Sequence, residues 1–137
     1  MKIFLSTIIL LVAGTFNAQA QHELDGKEFL IKLKLVEGKR SAGLLWEEDV
    51  ITFRADHLKS RFMSQREQFP PAPCERKVED ASGDKIITFT ASHRNTGVSD
   101  IKWEGTVRGN KIEGTAVWTN MQGPRTYSFE GTRRGKK

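Results

Sequence analysis

The chain of 137 residues carries 22 Lys and Arg against 17 Asp and Glu, a formal net charge of +5, with 37% apolar residues, 12 glycines and one cysteine. That length holds one domain at most. A lone cysteine excludes an intrachain disulfide, so the fold must hold by packing, and the apolar content suffices for one small core.

The first twenty residues, MKIFLSTIILLVAGTFNAQA, place Lys2 before an apolar run from Ile3 to Ala13 and end on the small residues Ala18 and Ala20. The run is shorter than the ~20 residues a membrane helix needs, so residues 1–20 read as a cleavable secretory signal. Residues 21–137 are then a single domain with no transmembrane segment. No cysteine lies near the cleavage region to carry a lipid, so the expectation is a soluble exported protein, periplasmic or secreted.

Beyond residue 24 the apolar residues recur with period two, and no stretch holds the helical period long enough to predict a helix. In 29–36, Phe29, Ile31, Leu33 and Leu35 share one face and Lys32 and Lys34 the other, as in a half-buried strand. Residues 49–54 align Ile51 with Phe53. Residues 57–64 align Leu58, Ser60 and Phe62, after a short turn at Ala55-Asp56-His57. CERKVED (74–80) is a weaker strand, and KIITFTAS (85–92), opened by Ser82-Gly83-Asp84, aligns Ile87, Phe89 and Ala91. Cys74 follows the proline-rich FPPAP and reads as a small buried thiol. The alternative, intermolecular pairing or redox work, draws on the neighbouring Arg76 and Lys77.

Ile101, Trp103, Gly105 and Val107 share a face, and after Gly109-Asn110 the pattern resumes with Ile112, Gly114, Ala116 and Trp118. Glycine at the first central position suits a two-residue type II′ hairpin. That turn sets Val107 against Ile112, Gly105 against Gly114, Trp103 against Ala116 and Ile101 against Trp118. A last strand over 126–134 aligns Tyr127, Phe129 and Gly131. WEGT, IEGT and FEGT, at 103–106, 112–115 and 129–132, form a small repeat whose glycines share one phase. Glycine weakens a strand interior, so three in phase point to a sheet that must coil sharply to close. The predicted fold is all-β, a small antiparallel up-and-down barrel of about eight strands.

The pattern from Trp103 through Gly105, Val107, Gly109, Ile112 and Gly114 to Trp118, with Tyr127, Phe129 and Gly131 after it, resembles small exported bacterial proteins of the lipocalin-like, calycin type. LDGKEF at 24–29, the F-x-S at 62–64 and Cys74 extend the likeness over most of the mature chain. A fainter likeness to avidin-type barrels rests on the two tryptophans of the hairpin. Trp46 lies in GLLW, outside the G-x-W signature of lipocalins. The resemblance implies a barrel with an internal cavity that binds a small apolar molecule.

No catalytic, metal-binding or cofactor-binding set emerges. Glu104, Glu113 and Glu130 fall on the solvent face, and His22, His57 and His93 show no ligand spacing. The sequence has no nucleophile elbow, phosphate loop or HExxH motif, and the chain reads as a non-enzyme. Cationic residues cluster at Arg133, Arg134, Lys136 and Lys137 and near the proline break, without interleaved aromatics, which excludes nucleic acid and reads as a solubilising surface. Phe29, Phe53, Phe62, Phe89, Trp103, Trp118, Tyr127 and Phe129 are expected inward, where they either fill the barrel or line a one-ligand cavity. The first functional expectation is therefore an apolar or amphipathic small ligand bound by these residues, with Ser60 and Tyr127 as polar anchors. The second is a protein-interaction module docking on an envelope protein or exported protease through FPPAP, marked by an exposed Phe69.

Overall fold

The computed structural model describes residues 23–38, 46–81, 84–95 and 99–134. The expected signal segment, His22 and the cationic pair Lys136 and Lys137 lie outside them. In chain order the described elements are β1 (Glu28–Glu37), β2 (Glu48–Arg54), β3 (His57–Ser60), the short helix α1 (Arg61–Arg66), β4 (Ala72–Ala81), β5 (Asp84–Asn95), β6 (Ser99–Arg108), β7 (Lys111–Asn120) and β8 (Gly123–Arg133). Each strand pairs antiparallel with the next, and β8 returns to β1, closing an eight-stranded up-and-down barrel. Closure leaves the period-two pattern one inside and one outside, which is why the apolar phase of every strand is the buried one.

The β6–β7 hairpin has the expected register: Val107 opposes Ile112, Gly105 Gly114, Trp103 Ala116 and Ile101 Trp118. Gly109 has φ +60 and Asn110 has no positive φ, as a type II′ turn requires. The repeat glycines sit where strand backbones approach closely. A Cβ on Gly114 would lie 2.0 Å from the Glu104 carbonyl oxygen, and one on Gly131 2.0 Å from that of Leu30. Sharp coiling is thus built on positions that only glycine can occupy.

Three local expectations change. The turn between β2 and β3 holds two residues, Ala55 (φ 46) and Asp56 (φ 66), and His57 already pairs with Arg54 as the first residue of β3. The strand expected to run to residue 64 ends at Ser60, which instead caps α1 by accepting from the Met63 N–H. Alternation of Leu58, Ser60 and Phe62 imitates a strand, but a cap oxygen three residues ahead of an N–H diverts the chain into a helical turn. CERKVED, the weak candidate, lies within the ten residues of β4, paired with β5 from Cys74–Ala91 to Ala81–Asp84.

The two barrel ends are closed differently. At one end Leu24, fully buried, is held by Gly26 N–H donating to the Phe53 carbonyl and Phe53 N–H donating to that of Lys27. At the other, α1 and the chain entering β2 lie across the mouth.

Candidate functional site

The aromatic side chains of the interior form two clusters of mostly edge-on contacts, one toward each end of the barrel. Near the Leu24 end, Phe53 meets Phe29 at 6.0 Å and Phe89 at 5.2 Å between ring centroids. Trp103 meets Phe129 at 5.6 Å. At the mouth Trp46 is the common member: it stacks on Phe62 at 5.5 Å, and meets Trp103 at 5.5 Å, Trp118 at 6.1 Å and Tyr127 at 4.8 Å edge-on. Of the eight inward residues expected from the sequence, seven are buried and Phe62, carried on α1 instead of a strand, is half-buried. The eight divide between two clusters: Phe29, Phe53 and Phe89 in one, and Phe62, Trp103, Trp118, Tyr127 and Phe129 around Trp46 in the other.

Trp46 is the member that the strand pattern missed. It precedes β2, out of phase with the inward Asp49, Ile51 and Phe53, so alternation assigns it no face. Its position follows from a polar contact: the indole Nε1–H donates to Asp49 Oδ2 at 3.2 Å. Asp49, only 5% exposed, collects three further donors. The Val50 N–H at 2.7 Å and the Phe62 N–H at 2.9 Å reach Oδ1, and the Ser60 hydroxyl reaches Oδ2. One carboxylate thereby joins the chain entering β2, the end of β3 and the first turn of α1. Burial pushes its pKa up, against the lowering effect of the four hydrogen bonds. Ser60 was expected as a ligand anchor, but its hydroxyl donates to Asp49 and accepts from Met63.

Two inward arginines complete the interior. Arg125, in phase with Tyr127 and Phe129 but one residue before the expected strand, lies over Trp118 at 5.5 Å and donates to the Gln122 side-chain carbonyl. Arg76, in phase with Cys74, lies over Phe53 at 5.4 Å and pairs with Asp25 at 3.8 Å near the Leu24 end. Each guanidinium rests on an aromatic face, which favours a cation out of water. Burial raises the Tyr127 phenol, with Arg125 opposing. The Trp118 indole N–H donates to Ser99 Oγ at 3.2 Å.

The outer wall carries other groups. Glu104, Glu113 and Glu130 are exposed, Glu113 directly opposite Glu130 and Glu104 opposite Thr115, and they border a shallow depression of about 690 Å³ with Lys32 and Lys34. Among the described residues no three His, Cys, Asp or Glu side chains converge as a metal site would require. His57 Nδ1 lies 2.9 Å from the Ala55 carbonyl oxygen, and His93 packs edge-on against Phe69 at 5.8 Å. Phe69 is buried, so the exposed apolar mark expected of a docking FPPAP loop is not formed there.

These features define a small closed antiparallel β-barrel with an aromatic interior and a tethered aromatic plug at one mouth. Comparison with known proteins gives no matching family model, no matching curated protein and no matching solved structure. No helix among the described residues is long and apolar enough to cross a membrane.

Proposed function

We propose that the barrel binds a small amphipathic molecule at the mouth, in the space that the Trp46 side chain fills. The observation that carries this reading is the way Trp46 is mounted. It comes from outside the strand ladder, has one polar tether in Asp49, and touches Phe62, Trp103, Trp118 and Tyr127. A ligand that displaces the indole meets aromatic walls on several sides and the Arg125 guanidinium beside Trp118, so an apolar body with a polar or anionic end matches the lining. Phe29, Phe53, Phe89 and Phe129 form the packed floor beneath it. The reading takes the protein to be exported, on the strength of residues 1–20, and akin to the small lipocalin-like exported proteins that its glycine and tryptophan pattern resembles.

The test is native mass spectrometry of the protein purified from its own host's envelope, joined to tryptophan fluorescence titration with a fluorescent anionic naphthalene dye. A retained small molecule, or saturable dye binding that a Trp46→Ala variant strengthens, supports the reading. A folded protein that carries nothing and binds no dye with or without Trp46 overturns it.

A further inference from the structure

The barrel is closed unevenly. β3 has four residues and meets β4 only at His57–Pro73 and Leu58–Ala72, extended by the Cys74 N–H donating to the Asp56 carbonyl at 2.8 Å. β4 runs on to Ala81, and past Cys74 no described strand lies on its β3 side. Because the Cys74 N–H points to that side, strand alternation directs the N–H and carbonyl of Val78 the same way, while Lys77 and Glu79 bond toward β5. A run of β4 centred on Val78 is therefore a strand edge.

An edge of this kind templates pairing with another chain unless charge or shape forbids it. Here charge favours one partner. Lys77 and Glu79 are exposed, flank Val78 on the outer face, and across β5 oppose the uncharged Thr88 and Ile86. Neither forms an ion pair among the described residues. Two antiparallel copies of this edge related by a two-fold axis at Val78 set Lys77 of one copy opposite Glu79 of the other, twice over, while the two Val78 residues exchange main-chain hydrogen bonds. We infer that the β4 edge is a self-association surface whose partner is a second copy of this chain, paired antiparallel about Val78. The isologous geometry closes as a dimer and cannot propagate into a fibre. A pairing of a few residues along one strand edge is a small contact, so the dimer is expected to be weak and reversible.

Sedimentation velocity of the purified protein across micromolar to millimolar concentrations tests this, with K77E, E79K and the double reversal K77E/E79K alongside. Both positions are exposed, and circular dichroism melts check that all variants fold equally. The expected result is reversible dimerisation of the wild type, weakened about tenfold or more by either single reversal, which sets like charges opposite each other, and restored by the double reversal. A monomer at every concentration overturns the inference, as it would if residues preceding Glu23 cover the edge within one molecule. So does association indifferent to charge reversal, or a double reversal that fails to restore it.

Discussion

The indole of Trp46 and the carboxylate of Asp49 are joined by a hydrogen bond of 3.2 Å in the buried mouth of the barrel. The same carboxylate holds the Ser60 hydroxyl and the backbone of Phe62 and Val50, so a single residue fixes the plug, the end of β3 and the first turn of α1. Asp49→Ala leaves these donors without an acceptor in a site closed to water, each worth ~1–3 kcal/mol. The expected loss of stability is about 3 kcal/mol or more, read as a fall in melting temperature of roughly 10 °C. Ser60→Ala, which removes only the cap and one donor, should cost about 1 kcal/mol. If the two variants melt alike, Asp49 is not the hub.

Acid titration gives an independent check on the same residue. Burial raises the Asp49 pKa above its ordinary 3.8, so between those values the folded protein holds a proton that the unfolded chain releases. The stabilising contribution of that proton is complete below pH 3.8 and is lost as pH rises through the raised value. Relative to Asp49→Asn, which does not titrate, the wild type should therefore gain stability as pH falls from neutrality toward 4. Urea midpoints of both proteins at each pH measure the difference. A difference that stays constant, or shrinks with acid, contradicts the assignment.

Why the barrel was legible and its mouth was not follows from what period two can encode. Alternation reports the face of any residue inside a strand, and it placed Phe29, Phe53, Phe89, Trp103, Trp118, Tyr127 and Phe129 inward, with the β6–β7 register fixed by Gly109. Trp46 precedes its strand and reaches the interior with a hydrogen bond to Asp49, which leaves no periodic trace. Phe62 keeps the inward phase of Leu58 and Ser60 but stands half-buried on α1, where the Ser60 cap turns the chain out of the strand. Asp49, Arg76 and Arg125 do lie in the inward phase of their strands. They were missed because a charged residue in phase reads as a pattern break until aromatic faces and carboxylates nearby show what offsets its burial.

The two tight turns predict opposite responses to similar substitutions. Ala55 holds a left-handed φ of 46 for which a side chain is poorly suited, although Asp25 accepts its N–H at 2.8 Å. Ala55→Gly relieves that strain and should raise stability by about 0.5 kcal/mol after the added freedom of the unfolded chain is counted. Gly109→Ala introduces the strain at φ +60 with no atom within 4 Å, and should cost about 1 kcal/mol. Thermal melts of the two single variants on opposite sides of the wild type would bear this out. A stabilised Gly109→Ala would refute the turn assignment.

Steric need separates Gly114 from Gly109. An added Cβ at Gly114 lies 2.0 Å from the Glu104 carbonyl oxygen and 2.6 Å from the Gly105 Cα, both backbone atoms that cannot rotate aside. Gly114→Ala should therefore cost about 3 kcal/mol or more, well beyond the turn substitution. Denaturant midpoints rank the two. Equal costs would mean that the repeat glycines serve chain flexibility instead of close approach between β6 and β7.

Cys74 offers a local probe of the β3–β4 seam. The thiol is buried, and burial pushes its pKa up while the Arg76 guanidinium pulls it down. Because the thiolate is the reactive species, Cys74 in the folded protein should be alkylated by iodoacetamide at pH 8 at least about tenfold more slowly than in urea. Its residual rate reports opening of the short contact at His57–Pro73 and Leu58–Ala72. Leu58→Ala, which empties a buried position in that seam, should speed the folded-state reaction before any loss of circular dichroism. A rate in the native wild type equal to the rate in urea would show that the seam does not shield the thiol, and would remove β3 from the closed barrel in solution.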